Sequence, residues 1–227
     1  MTMQPINIVV GFDQREAVAY HVFCQSVLSK ASRPVRFIPL AHNALKFYTE
    51  THTDGSNKFI YSRFLTPYLQ NFEGPALFAD GDMVCRTDIA ELIDLFDATK
   101  AVQVVQHDYQ TKANIKYLGN RNQNYPRKNW SSVILWNCGH PANRVLTPEL
   151  IQSQPGSFLH RFAWLSDDLI GALPMEWNWL ATEYAVNPEA KLVHYTLGTP
   201  CFQDFAKAEM STHWWQEHQA SQDGMNV

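Results

Sequence analysis

Ala76-Leu77-Phe78-Ala79-Asp80-Gly81-Asp82-Met83-Val84 is the stretch on which the reading of the fold turns. The short apolar run after Gly74 reads as a buried strand that delivers the chain to two carboxylates separated by one glycine. In an open α/β sheet, ligands bind beyond the carboxyl ends of the strands, so this turn is a candidate site as well as a fold marker. Two acids one residue apart bring oxygens to a single hard cation, and Gly81 lets the backbone turn closely enough to make room for a phosphate. The expected ion is Mn2+ or Mg2+.

Upstream, Ile6 to Gly11 is a β-rich run ending in glycine, and Ala17, Tyr20, Cys24, Val27 and Leu28 follow at helical spacing. Val35 to Leu40 is a second strand, placed at an edge by Pro39. Phe59 to Leu65 reads as a helix ahead of Pro67. Downstream, Ile89, Leu92, Ile93 and Phe96 mark an amphipathic helix, and Ala101–Gln106 and Ser132–Trp136 are further strands. Strands alternating with helices predict one α/β domain with a mostly parallel, Rossmann-like sheet covered on both faces. Between Thr111 and Trp130 the chain turns polar, a long connection of the kind that carries function. The only internal boundary expected lies there, dividing residues 1–110 from 111–227.

The 227 residues are 45% hydrophobic and 18% charged, an ordinary globular composition. Eighteen basic and 22 acidic residues give a net charge of −4, which excludes bulk nucleic-acid or anionic-membrane binding as the expected function. No run supplies the ~20 apolar residues of a transmembrane segment, and Met1-Thr2-Met3-Gln4-Pro5 lacks the features of a secretion signal, so a cytoplasmic location is expected. Cys24, Cys85, Cys138 and Cys201 are too scattered for a zinc knuckle or redox dithiol and read as free thiols. All seven tryptophans fall in the second half, mostly as core, with Trp214-Trp215 the pair expected to stay least buried.

Taken with its neighbours, the carboxylate turn resembles the nucleotide-sugar glycosyltransferases of the GT-A fold, and among them the retaining family 8 type related to glycogenin and bacterial galactosyltransferases. Ser62-Arg63-Phe64-Leu65-Thr66-Pro67-Tyr68-Leu69 is similar to that family's arginine-bearing helix, and Ala76 to Val84 to its Asp-x-Asp strand. Asp88-Ile89-Ala90-Glu91-Leu92 follows at the family's distance. Val133 to Gly139 resembles its Asn-containing strand, and His194-Tyr195-Thr196-Leu197-Gly198-Thr199-Pro200 its closing motif. That motif departs from the family's form. Gly198 stands four residues after His194 rather than three, no lysine follows, and Phe202 occupies the tryptophan position.

The resemblance implies a metal-dependent transferase that moves a sugar from a UDP-linked donor, with retention, to a saccharide, lipid-linked or protein acceptor. Residues 1–110 would form the nucleotide-sugar half and 111–227 the acceptor side of the same domain. Asp80, Asp82 and His194 would hold the ion; from the residues alone, His194 closes the β-rich run Lys191-Leu192-Val193 and offers an imidazole from a strand tip. Gly11, Asp13 and Arg15 follow the first strand, where a nucleoside would be received, Asp13 either accepting from base or ribose or capping the helix. Arg63 would brace Asp80 and touch the donor, with Gly81 and Gly198 close to phosphate. Without the closing lysine, Arg63, Lys58 or a residue of the 111–130 connection would neutralise the leaving diphosphate. Asn137, Cys138 and Gly139 would line the sugar pocket, and Asp167 or Asp168 would orient the sugar as the catalytic acid. The rival readings are a haloacid-dehalogenase-type phosphohydrolase, which would pair the Asp80 turn with Asp167-Asp168, and a catalytically silent sugar-binding module.

Overall fold

The computed structural model describes residues 4–53, 55 and 57–223; Met1, Thr2 and Met3 of the opening stretch lie outside the described residues. Strands β1 (Ile6–Gly11), β2 (Val35–Leu40), β3 (Pro75–Ala79), β5 (Val102–Val105), β6 (Val133–Asn137) and β7 (Ile170–Leu173) make a six-stranded sheet in the order β2-β1-β3-β6-β5-β7. A smaller sheet is built from β4 (Met83–Cys85), β9 (Leu192–His194) and β8 (Trp179–Leu180) in the order β4-β9-β8. Helices α1 (Ala17–Leu28), α2 (Thr66–Leu69), α3 (Ala90–Ile93), α4 (Pro148–Ser153), α5 (Gly156–His160) and α6 (Ser211–Asp223) complete the regular elements.

Alternation along β3 explains why the main sheet is covered twice. Ala76 and Phe78 point into a core with Phe64, Leu65, Ile134, Trp136 and Phe162. Leu77 and Ala79 point the other way, into Phe23, Val27, Ile89, Leu92 and Leu135. Both sets are essentially inaccessible to solvent, which is why the strand reads as an unbroken apolar run. A third cluster joins Val22 of α1 and Val84 of β4 to Val193, Tyr195 and Trp214, pinning the small sheet under α6.

The main sheet is mostly parallel: β1 pairs in parallel with β2 and β3, and β5 with β7. β2 lies at the edge, as Pro39 requires. β6 departs from the pattern. It runs antiparallel to both β3 and β5, with Ala79 opposite Val133 and Pro75 opposite Asn137. Coming from beyond residue 111, β6 sits between two strands of the first half, so both halves share one sheet and one domain.

Local expectations shift in two places. The helix predicted over Phe59–Leu65 is a 3-10 turn at Ser62–Leu65 that continues into α2 through Pro67, because proline is tolerated in a helix's first turn. Trp214 is fully buried and only Trp215 stays 39% exposed, because α6 packs on α1 and the small sheet. The four cysteines are free thiols. Among the described residues no helix is long and apolar enough to cross a membrane.

Candidate functional site

β3 ends at Ala79, and the backbone N–H of Asp80 donates to Ser132 O at 3.0 Å, anchoring the turn to the start of β6. The turn then enters β4, whose Met83 stands opposite His194 of β9. Tyr195 N donates to Asp82 O at 3.0 Å, which ties the Asp-x-Asp turn to the residue after His194. Two strands far apart in the sequence thus bring Asp80, Asp82 and His194 together, with one donor atom from each lying within 4.8 Å of the others.

The chemistry of these atoms is decided one shell out. His194 Nδ1–H donates to Asn178 Oδ1 at 3.0 Å, and Asn178 Nδ2 donates to Asn129 O at 3.2 Å, which turns the amide oxygen toward the imidazole. That leaves His194 Nε2 facing Asp82 Oδ1 at 3.3 Å and Asp80 Oδ2 at 3.9 Å. Without a proton on Nε2 the three atoms would all be acceptors facing one another, and Asp82 Oδ1 has no hydrogen-bond partner. Such a set needs a cation between its members, either a proton or a metal ion.

Arg63 compensates part of the charge. Its Nη1 lies 2.9 Å from Asp80 Oδ1 in an ion pair without hydrogen-bond alignment, while Nη1 and Nε donate to Ser131 O and Ile60 O at 2.8 and 2.9 Å. Burial pushes the Asp80 carboxyl above its ordinary range, Asp82 adds to the rise and Arg63 opposes it. Burial works on Asp82 in the same sense, but the His194 beside it brings that carboxyl below the usual value. Glu16, nearby and buried, is pushed up to about 8 by burial and then by Asp82, although Tyr117 O–H donates to its Oε1 at 2.8 Å.

Arg63, Asp80, Asp82 and His194 line one chamber of about 60 Å3. Lys116, Tyr117, Tyr125, Asn129, Ser131, His160 and Thr196 also face it. Most of these come from the 111–130 connection or its edge, which the sequence marks as functional by polarity without singling out a residue. His160, which the sequence left unremarked, has Nε2 buried without a partner and Nδ1 2.8 Å from Ser131 Oγ; burial, then Arg63, pushes it down to about 3, so the ring is neutral.

Several expected residues stand elsewhere. Asp13 is committed: it caps Arg15 N and takes the Arg15 guanidinium on both oxygens and Lys58 N on Oδ2, which fills its acceptor sites. It is a brace for the 3-10 turn after β1 rather than a free acceptor for a ribose. Gly11 and Gly81 are packing positions. An added Cβ at Gly81 would overlap the Gly11 carbonyl oxygen, and one at Gly11 would overlap the Phe59 ring. A side chain at Gly198 would strike Phe205. Lys58 and Arg15 wall neighbouring openings instead of the chamber.

Asn137, Cys138 and Gly139 are removed from the site by the direction of β6. Asn137 pairs with Pro75, at the far end of β3 from Asp80, and its amide donates to Ala98 O at 3.1 Å. The five residues of β6 separate it from Val133, beside the site, by roughly 13 Å at ~3.3 Å per residue. Asp167 and Asp168 precede β7, which is parallel to β5, so their backbone also lies at that far end, where Lys100 Nζ donates to Asp168 O at 2.9 Å. Asp167 is 87% exposed and paired with Arg127 at 2.6 Å. The structure does not bring either acid to the cluster, which also removes the acids a dehalogenase-type phosphohydrolase would require there.

Comparison with known proteins agrees with this architecture. No protein-family model matches the chain. Over 223 residues the chain is 42% identical to Protein CDI of Arabidopsis thaliana, covering 94% of this chain and 86% of that protein. Among solved structures, the bifunctional glycosyltransferase WbbM in its apo form superposes with a TM-score of 0.68 at 15% identity over 94% of this chain and 49% of that one. The glycosyltransferase GlyE of Streptococcus pneumoniae TIGR4, also apo, gives 0.63 at 13% over 95% and 60%. The galactosyltransferase LgtC with donor and acceptor sugar analogs gives 0.52 at 13% over 95% and 96%. The chain thus spans about half the length of WbbM and three fifths of GlyE, and the fold it shares with them is the GT-A glycosyltransferase fold.

Proposed function

Since this chain belongs to the family of Arabidopsis thaliana Protein CDI and has the fold of glycosyltransferases, we propose that it is a metal-dependent glycosyltransferase using a nucleotide-sugar donor. One observation carries the reading: Asp80, Asp82 and His194 bring one possible ligand atom each within 4.8 Å of the others at the carboxyl end of β3, with the imidazole held at Nδ1 by Asn178. A carboxylate pair with one neutral imidazole suits Mn2+, and Mg2+ less well because of the nitrogen donor. Bound there, the ion would act as a Lewis acid for the charge that builds on the departing diphosphate.

The chain's own residues do the rest. Arg63 neutralises Asp80 from behind and holds the β3 turn against the Ser131 backbone, so the carboxylates stay aimed at the chamber. The wider openings on the β1 side, of about 540 and 480 Å3, have room for a nucleoside, and one of them meets the chamber at Asn57 and Ile60. A chamber of about 60 Å3 holds a few waters and no sugar diphosphate, so donor entry requires the 111–130 connection to give way around Lys116, Tyr117 and Tyr125. Among the described residues the only acids lining the chamber are Asp80 and Asp82, both committed to the ion. His160 also faces the chamber as a neutral ring, but with its pKa pushed down to about 3 by burial it is a weak base, so the acceptor hydroxyl's proton would pass to the departing phosphate oxygen as the sugar bonds from the same face, with retention. Uridine is the expected nucleoside.

The test is release of nucleoside diphosphate from a panel of nucleotide sugars with Mn2+, Mg2+ or EDTA. Turnover or slow hydrolysis of one donor, lost in EDTA, is expected. Binding of the donors with no turnover under any acceptor would instead leave a silent sugar-binding module.

A further inference from the structure

Next to the metal cluster lies a second opening, of about 370 Å3, walled chiefly by Lys116, Arg121, Asn122, Gln123, Tyr125 and Lys128. Lys128 is only 5% exposed, and its ammonium donates to two neutral acceptors, Asn122 Oδ1 and Gln123 O, the latter at 2.7 Å. Its charge sits 5.6 Å from the Tyr125 ring. Burial, and then the Lys116 ammonium, push Lys128 down to about 8. Lys116 in turn donates to the Thr196 hydroxyl at 3.0 Å and faces both this opening and the chamber of the cluster. Lys116 is attracted first by Asp82 and Asp80, the acids of the cluster, and then by Glu183, which also attracts Lys128 and is taken up by Thr111 Oγ1 and by Lys112 N at 2.8 Å. Among the described residues the opening has no acid in its lining.

Two ammonium groups close enough to repel, with a guanidinium at the same rim and only neutral hydrogen-bond partners, are left with uncompensated positive charge once Asp80 and Asp82 are taken up by a cation. An anion in the opening removes the repulsion and receives charge-assisted hydrogen bonds from all three side chains. We propose that Lys116, Arg121 and Lys128 form a binding site for a phosphate-class anion adjoining the Asp80–Asp82–His194 cluster. The anion is either the diphosphate of the donor or a phosphate carried by the acceptor, an assignment that rests on the glycosyl-transfer reading, whereas the anion site does not.

Calorimetric titration of inorganic pyrophosphate into the full chain in EDTA tests the site, with wild type compared to Arg121→Ala and Lys128→Met. Wild type binds pyrophosphate, and each variant binds it about tenfold or more weakly, with the affinity falling as salt rises. Arg121 is exposed, and no hydrogen bond or ion pair of its side chain to another described residue is seen, so that variant remains informative if Lys128→Met does not fold. No binding to wild type, or equal binding by wild type and folded variants, overturns the proposal. A second titration, of inorganic phosphate with UDP and Mg2+ saturating, separates the sources. Phosphate excluded by UDP assigns the site to the donor diphosphate, and phosphate bound alongside UDP assigns it to the acceptor. Pyrophosphate binding in a protein that binds no UDP keeps the anion site and removes the glycosyl-transfer reading.

Discussion

The two ends of the main sheet carry similar residue types and have opposite chemistry. At the carboxyl end of β3, Asp80 is buried and Asp82 half-buried, both face His194 Nε2, and each leaves a buried oxygen without a hydrogen-bond partner. At the other end, Asn137 is bonded to Ala98 O and Asp167 projects into solvent beside Arg127. Carboxylates and amides are satisfied at one end and held in deficit at the other. Unsatisfied buried acceptors cost the fold free energy that a proton or a metal ion between them would return, which is why the candidate site lies where the deficit is.

The largest expected effect breaks this asymmetry at its centre. Asp82→Asn is expected to abolish the Mn2+-dependent protection that UDP gives against thermal unfolding and to lower turnover about a hundredfold or more, in line with the ~several kcal/mol a Lewis acid supplies. Asp167→Asn and Asp168→Asn, made as controls at the other end, leave both measurements unchanged. Protection persisting in Asp82→Asn, or lost in the controls, would reverse the assignment of the two ends.

A smaller effect is expected one shell out. Asn178→Ala frees the His194 ring to rotate and change tautomer, and should weaken Mn2+ binding about 10- to 100-fold while all three ligands remain. Equal Mn2+ affinity in titrations of mutant and wild type would remove the orienting role.

Glu16 sharpens the comparison through pH. Burial, then Asp82, raises its folded pKa to about 8 from the ordinary 4.5 of a glutamate, so between those values the folded state binds more protons than the unfolded one. Stability of the metal-free protein should therefore fall as pH rises through that window, by up to about 1.4 kcal/mol per pH unit. Glu16→Gln should flatten that slope in urea unfolding series in EDTA, and an unchanged slope would place the proton elsewhere. At the opposite end, Asn137→Ala should cost only about 1 kcal/mol, the net worth of one hydrogen bond, and leave UDP binding intact.

Legibility in the sequence follows the same division. The Asp-x-Asp turn is legible because strand, glycine and acids are contiguous, and the tip of β9 is legible because Leu192 and Val193 lead directly to His194. Arg63 sits where the family resemblance puts it, against Asp80. What misleads is direction. β6 is a plain apolar strand whichever way it runs, and only its pairing between β3 and β5 puts Val133 beside the site and Asn137 at the far end. The acids before β7 are displaced for the same nonlocal reason. Asp13 shows a local ambiguity instead, since a side chain able to meet a ribose is equally able to cap a turn, and Arg15 takes it. Lys116 and Tyr117 were hidden because a polar connection reveals its function only once folded over the chamber.

The central claim is that Asp80, Asp82 and His194 hold one divalent ion at the carboxyl end of β3. Electron paramagnetic resonance of Mn2+ titrated into the protein with UDP present measures it directly. One bound Mn2+ per chain, lost in Asp82→Asn and retained in Asp167→Asn, is the result expected; no bound Mn2+ in wild type, or binding that survives Asp82→Asn, would contradict it.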